Sequence, residues 1–553
     1  AEDGIRDDLV TGVQTCALPI SVSGRGVPLS SRHRSRRGDV RHDRRWTARW
    51  SGIVHAERRR RTLHRCRRSR RASRCVAVGG RRHHGSLNVA ATPVLDTDVV
   101  VVGGGVVGCA VARLLSHQRL RVAIVEAKAD VGAGTSKANT AILHTGFDAT
   151  PGSVESRLVR RGYELLSSHA VAAGIAVERV GAVLVAWDDE QAAQLPALSA
   201  KAAANGYERS EVLDAAAVRS LEPHLGPGVT GGMLVPDEHI IDPWSTPLSF
   251  ALDAVANGCS LLTDFAVTSA AIGPEHTELH AADGRTVRTR FVVNAAGLHG
   301  DELHRLMGFG GFTVRPRRGE LIVFDKLARP LLHRTLLPVP TSHTKGVLVA
   351  PTVFGNVMLG PTADDIDDKT ATGSTRAGLD ALRLKGGRIL PALLDEEVTA
   401  VYAGLRAATE HSDYQLSAHS DARYVCLGGI RSTGLTASMA LAEETIGLLA
   451  EAGLVTAPRP ADEITHVRLT SLGETDERPW QRGGTVVCHC ERVTVDEIRD
   501  ACTSPVPARD LDGVRRRTRA LAGRCQGFYC SAEVCALAAE CSGRPMGDWM
   551  GVR

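Results

Sequence analysis

The stretch "DTDVVVVGGGVVGCAVARLLSHQRLRVAIVEAKAD", Asp96 to Asp130, constrains the fold more than any other part of the chain. Four consecutive valines, Val99 to Val102, suit a strand buried on both faces. Gly103, Gly105 and Gly108 then form G-x-G-x-x-G, and Val106 opens a segment with apolar residues at helical spacing. A second strand, "RVAIVE", ends in Glu126. Gly103 permits a tight turn, Gly105 lets the backbone approach a pyrophosphate, and Gly108 allows the helix to pack closely on the strand. The helix N-terminus directs N–H groups at phosphate, and Glu126 is placed to accept hydrogen bonds from a ribose diol. A lone glycine triplet is weak evidence and is often only a turn. Here strand, helix, second strand and terminal acid stand in register, which predicts a dinucleotide-binding βαβ unit.

Composition bounds the rest. The 553 residues suffice for about three or four domains, and no run of about 18 apolar residues predicts a membrane-spanning helix. The net charge of +5 averages two unlike parts. Residues 1–95 hold 22 arginines, no lysine and 7 acidic residues, whereas the remainder is mildly acidic and gives no support for nucleic-acid binding as its main task. The Arg-rich part lacks a sustained apolar period, and "DGIRDDLVTGVQTCALPIS" resembles translated adapter or vector sequence. Residues 1–95 are therefore expected to be disordered or non-native and to stand outside the fold, which would put the true start near Asp96. The functional alternative is a basic arm that binds nucleic acid or an anionic membrane surface.

The segment after the second strand, "GAGTSKANTAILHTGFDATPGS", is rich in small and hydroxyl residues. It resembles the flavin-proximal segment of FAD-dependent oxidoreductases in the D-amino-acid-oxidase-like superfamily. "RFVVNAAGLHGDEL" (Arg290 to Leu303) and "CLGGIRSTGLTASMALAEETIGLL" (Cys426 to Leu449) are similar to that superfamily's second strand-and-turn and its closing motif. The resemblance implies FAD contacts at Thr135, Ser136, Asn139, Val267, Ala296, Gly297, Gly429, Ser432, Thr433, Gly434, Leu435 and Thr436. These join Gly103, Gly105, Val106, Gly108 and Glu126. No second G-x-G-x-x-G follows a strand, so reoxidation by a nicotinamide docked in the same fold is not expected.

"SKANTAILHTGFD", "PRRGEL", "TKGVLVAP" and "YAGLRAAT" narrow the resemblance to L-2-hydroxyglutarate dehydrogenases and the catalytic A subunit of anaerobic glycerol-3-phosphate dehydrogenase. It covers roughly residues 96–455. The implied fold class is α/β, a Rossmann-like FAD-binding domain interleaved with an antiparallel-sheet substrate domain. The expected FAD-binding parts are 96–175, 240–302 and 415–455, and the substrate parts are 176–239 and 303–414. Both groups oxidise a secondary alcohol on a small anion, which needs hydride loss to flavin, a base for the hydroxyl proton, and fixed cations. His144 is the candidate proton acceptor, its bland reading being a histidine that bonds loop backbone. Arg406 matches the arginine of a Gly-x-Arg-Pro motif, with Ala407 in place of proline, and Arg431 is placed to meet substrate anion or flavin carbonyl. Arg318 and Lys345 are weaker candidates, more readily structural or solvated charges. Amine oxidation would use the same flavin geometry and stays open.

Past a polar stretch at 456–483, read as a linker, seven of the chain's thirteen cysteines crowd into 488–541. "VVCHCERVT" carries Cys488 and Cys490, and "GRCQGFYCSAEVCALAA" carries Cys525 and Cys530, giving C-x-C and C-x4-C. Thr494 and Glu497 form a capping box for a helix. A disulfide or catalytic dithiol is disfavoured, and structural zinc competes with a [2Fe–2S] cluster. The segment, 484–545, resembles the small helical bacterioferritin-associated-ferredoxin-like [2Fe–2S] domain, in which those four cysteines are the ligands. Cys502, Cys535 and Cys541 fall outside the pattern and read as buried small hydrophobes. "GVRRRTRALAGR" reads as a solvated helix face, as charge compensation for the cluster, or as a dock for an acidic redox partner.

The expected protein is a cytoplasmic dehydrogenase, or one peripherally associated with the inner face of the membrane through a partner. It would oxidise glycerol 3-phosphate or an L-2-hydroxy acid with FAD and pass electrons through the cluster to a partner protein or quinone-linked subunit. The alternatives are an amine or amino-acid oxidoreductase and a non-enzymatic flavoprotein with a zinc-bound interaction tail.

Overall fold

The computed structural model describes residues 94–340, 346–473 and 478–550. The expectations for residues 1–93 and for Lys345 lie outside them.

The first strand, Val94–Val102, lies between Val122–Val125 and Thr286–Asn294, parallel to both, and Ser260–Leu262 extends the sheet past Val122–Val125. Its valines divide by the two-residue period of a strand. Val99 and Val101 enter one core, against the helices Val106–Ser116, Ser245–Ala256 and Gly434–Glu451. Val100 and Val102 enter a second core on the opposite face with Phe265, Val292 and Tyr424. Burial on both faces is what the unbroken valine run predicts. The far edge of Thr286–Asn294 is shared. Its first half pairs antiparallel with Thr277–Ala281, and its last residues pair parallel with Tyr424–Gly428, the strand that feeds the closing motif.

Among the described residues the second sheet has nine strands, built largely from the segments "VGAVLVAWD", "TGGMLVPDEHIIDP", "RRGELIVFD" and "GVLVAPTVFGNVMLGPTAD". Its backbone is the long antiparallel pairing of Arg315–Phe324 with Val398–Ala408. One pairing departs from the expected antiparallel pattern: Thr335–Pro338 runs parallel to Ala182–Ala186. A small three-stranded sheet, Ile142–Leu143, His239–Ile241 and Val177–Glu178, brings the flavin-proximal segment beside the turn at Glu238.

The helices Val154–Ala173 and Gly434–Glu451 approach so closely that a Cβ at Gly162 would lie 2.3 Å from the Thr436 carbonyl oxygen. Only glycine fits there. The stretch read as a linker is partly packed: Leu469 donates to the Ala173 carbonyl at a helix end, and Arg459 bonds the carbonyls of Ser116, Asn257 and Glu463. After it come a short hairpin, Val486–Cys488 with Val493–Thr494, and the helices Val495–Thr503, Leu511–Thr518, Ser531–Ser542 and Met546–Trp549 around their own core. The capping box is present in full.

Candidate active site and cluster site

The glycine turn has the shape that a pyrophosphate needs. Gly103 has φ +112°, and a Cβ there would lie 2.4 Å from the Ala295 carbonyl oxygen. A Cβ at Gly108 would meet the Gly103 carbonyl at 1.9 Å, so helix and turn touch backbone to backbone. The helix Val106–Ser116 begins without a side-chain cap from Gly105 and without an acid in its first turn. Its first N–H, on Val106, donates to Ser136 Oγ at 3.0 Å. Glu126 accepts from the N–H groups of Gly104 (2.7 Å) and Lys128 (2.8 Å). Burial outweighs these bonds and raises its carboxyl pKa. A helix N-terminus, a Cβ-free cradle and a half-buried acid fit a dinucleotide. Val267 packs beside Val102 and Val125 in the core under this turn. Gly297, with φ +57°, and Ala296 follow the strand that pairs with Val102, and Ala296 N–H donates to Asn294 Oδ1.

The flavin-proximal segment crosses the second sheet. Thr135 Oγ1 donates to the Leu405 carbonyl (2.9 Å), Tyr402 Oη donates to the Asn139 carbonyl (2.9 Å), and a Cβ at Gly404 would lie 2.2 Å from the Ala138 carbonyl oxygen. Residues 402, 404 and 406 share one face of their strand, so Arg406 extends along the face that meets this segment. Its guanidinium reaches Thr362 O at 3.4 Å and lies over Gly319. No carboxylate pairs with Arg406 among the described residues. Burial, then the neighbouring Arg317 cation, lowers its pKa, yet a guanidinium keeps its charge.

His144 stands at the end of the segment. Its N–H donates to Thr436 Oγ1 (3.0 Å) in the first turn of Gly434–Glu451, and its Nδ1 lies 2.6 Å from Glu238 Oε1. Glu238 is fully buried and also accepts from the Thr145 N–H (2.7 Å) and hydroxyl (2.9 Å). A carboxylate on Nδ1 fixes the orientation of the imidazole. Sequence reasoning missed Glu238, since an acid at a strand-joining turn carries no local signal of burial.

In the closing motif, Gly429 takes φ +67°, Thr433 donates to Glu155 Oε1 (2.6 Å), and Gly434 and Leu435 begin a helix with no acid in its first turn. Ser432 is exposed. Arg431 bonds the Ser412 carbonyl. Arg318 lies 3.3 Å from the fully buried Glu320, which makes it a structural charge.

The four tail cysteines converge as two pairs, Cys488 with Cys530 and Cys490 with Cys525. The Cys488 thiol is brought down to about 6, first by the hydrogen bond from Cys530 and then by the N–H groups of Glu491 and Leu521. Burial acts to raise Cys525, but the N–H groups of Tyr529 and Gly527 and the Cys490 thiol bring it down. Converging N–H groups suit thiolates, and two thiol pairs match the two irons of a [2Fe–2S] cluster. Gly523 is required, since a Cβ there would lie 2.3 Å from the Cys490 Cβ. Cys502 and Cys535 are buried outside this group, and Cys541 is partly so.

Three of the five arginines of "GVRRRTRALAGR" turn inward, whereas Arg515 is partly exposed and Arg524 is exposed. Arg516 and Arg517 reach Asp130, 1% exposed, at 2.5 and 2.6 Å, and Arg519 reaches Glu491 at 3.2 Å.

Residues 98–448 match the family model "FAD dependent oxidoreductase", and residues 486–540 match "BFD-like [2Fe-2S] binding domain". A glycerol 3-phosphate dehydrogenase of Caloramator mitchellensis is 32% identical over 454 residues, covering 80% of this chain and 94% of that protein. The bovine mitochondrial L-2-hydroxyglutarate dehydrogenase is 28% identical over 53% of this chain and 64% of its own length. Among solved structures, the dithionite-reduced L-α-glycerophosphate oxidase of Mycoplasma pneumoniae with FAD bound superimposes with a TM-score of 0.63 at 30% identity. It covers 66% of this chain and 97% of that one. No described helix is long and apolar enough to cross a membrane. The chain belongs to the FAD dependent oxidoreductase family and carries a C-terminal BFD-like [2Fe–2S] domain.

Proposed function

We propose that the protein oxidises glycerol 3-phosphate, or a closely related small anionic secondary alcohol, to the ketone and hands the electrons through its cluster to a protein acceptor. The observation that carries this reading is Arg406. It is a half-buried cation without a carboxylate partner among the described residues, on the strand face that meets the flavin-proximal segment. A phosphate or carboxylate would complete it, and a bidentate fork would fix the distance from anion to reacting carbon. The relatives named for glycerol 3-phosphate favour the phosphate.

Bound FAD supplies the hydride acceptor. Gly103, Gly105, Val106, Gly108 and Ser136 would hold its pyrophosphate, Glu126 its ribose, and Asn139 with the first turn of Gly434–Glu451 its flavin end. Glu238 orients the His144 ring through Nδ1, and His144 takes the hydroxyl proton as the hydride leaves. Glu238 stabilises the imidazolium so formed.

Anaerobic mixing of the FAD- and iron-loaded protein with glycerol 3-phosphate, L-2-hydroxyglutarate and amino acids tests the reading. Glycerol 3-phosphate is expected to bleach the flavin fastest. Bleaching by amino acids alone would overturn it, and zinc in place of about two irons per chain would remove the relay.

A further inference from the structure

A continuous contact chain runs between the two cofactor sites, buried from Phe354 to Glu491 and exposed at its Lys137 end. At the flavin-proximal end, Trp244 Nε1 donates to the Lys137 carbonyl at 3.1 Å, next to Ser136 of the phosphate turn. The indole stacks on Phe354, with centroids 5.3 Å apart and planes 20° from parallel. The Arg519 guanidinium lies over the Phe354 ring at 4.0 Å and reaches the Trp244 ring at 5.5 Å. Arg519 Nε donates to Glu491 Oε2 at 3.2 Å, and Glu491 follows Cys490 directly. Arg519 is 4% exposed, an unusual state for an arginine away from a ligand. Its backbone, at φ +71°, ends the helix Leu511–Thr518, so the side chain is aimed by that helix.

The helix is clamped in turn. Arg516 and Arg517 grip Asp130, which follows the Glu126 strand, and Asp512 meets Lys137 at 3.3 Å. Arg524, next to Cys525, pairs with Asp325 and Glu397 of the second sheet. Breaking the buried Asp130 pairs would leave an uncompensated charge, which makes undocking costly, while the Lys137 and Arg524 pairs are exposed and add little.

We propose that the C-terminal domain is a fixed electron outlet, docked on its own flavin domain, and that Arg519 is the positioning residue that holds the Cys490 side of the cluster against the Trp244–Phe354 stack. This rests on the proposed relay reading. Oxidation of the alcohol to the ketone releases two electrons, while a [2Fe–2S] cluster holds one. The path therefore works twice per turnover, and each electron leaves to an external one-electron acceptor protein before the next arrives. The hydroxyl proton goes to His144, and the proton carried with the hydride is released to solvent.

The test uses the full chain loaded with FAD and iron, comparing wild type with Arg519→Met, Arg519→Lys and Arg517→Gln. Flavin bleaching and cluster reduction are followed together after anaerobic mixing with glycerol 3-phosphate. Amide hydrogen exchange is measured at Asp130 and along Leu511–Thr518. In Arg519→Met, flavin bleaching is expected to stay within about twofold of wild type while cluster reduction slows at least about tenfold, an added barrier of about 1.4 kcal/mol. Arg519→Lys should recover part of that rate, and Arg517→Gln should speed exchange around Asp130. Iron content and cluster potential should not change. Cluster reduction at the wild-type rate in Arg519→Met, or fast exchange at Asp130 in wild type, would overturn the proposal. If glycerol 3-phosphate fails to bleach the flavin, the substrate reading fails by itself. The same variants are then compared after reducing the flavin with light and oxalate, and equal cluster reduction rates would again overturn the positioning role.

Discussion

At the residue scale, the site rests on groups whose burial is paired with a specific partner. In the proposed mechanism His144 and Glu238 act as one unit, so removing either should harm the same step. His144→Asn is expected to slow flavin bleaching by about 10²–10⁴-fold, the usual worth of a positioned base. Glu238→Gln should lose less and should move the pH profile of bleaching, because the imidazolium loses its stabilising charge; a rapid-mixing pH series checks both. Arg406→Met should act differently. It should weaken apparent binding of an anionic alcohol by about 10–100-fold, as expected for one charged hydrogen-bonded contact, and leave binding of FAD unchanged. Titration of substrate against flavin bleaching separates the two effects. Of these three residues, His144 and Arg406 were expected from resemblance and residue type. Glu238 was not, since it sits 94 residues from His144 and only the pairing of Ile142–Leu143 with His239–Ile241 brings it near.

At the element scale, local rules held where the backbone alone decides. The valine run, the glycine turn and the Thr494–Glu497 capping box all formed as their chemistry requires. Sheet order did not follow local rules. The parallel pairing of Thr335–Pro338 with Ala182–Ala186 joins segments about 150 residues apart, and alternation along a strand says nothing about which neighbour it takes. The helix Val154–Ala173 carries a pH effect of its own. Burial lowers the His169 pKa to about 4, with the ring against Phe250 and bonded to Ser249. The unfolded chain then binds a proton near pH 6.5 that the folded helix refuses. Stability from this group is complete above about pH 6.5 and falls as the pH drops toward about 4, by on the order of 3 kcal/mol. Melting temperatures of wild type and His169→Phe over that range should converge in slope only above it.

At the scale of the whole molecule, two cofactor sites far apart in sequence become one packed body. If the cluster is the outlet, Cys530→Ser should lose iron and keep substrate-driven flavin bleaching, while reoxidation of the flavin by a one-electron acceptor protein slows at least about tenfold. Anaerobic bleaching followed by addition of the acceptor measures both steps. The arginine-rich stretch before Cys525 illustrates how far sequence reached. Its charge was plain, but a count of arginines does not say where their acids are. The acids met by the buried arginines are Asp130 and Glu491, the first of them 386 residues from Arg516. The sequence by itself placed the dinucleotide turn and the clustered cysteines, because glycine geometry and thiolate chemistry depend on neighbours within a few tens of residues, whereas the fold paired Cys488 with Cys530 and Cys490 with Cys525. Only the tertiary structure decided that Glu238 backs His144, that Arg406 lacks an acid among the described residues, and that Arg519 packs on Phe354 and bonds Glu491. Each of these depends on which distant strands and helices share a buried surface, and burial is a property of the packed chain.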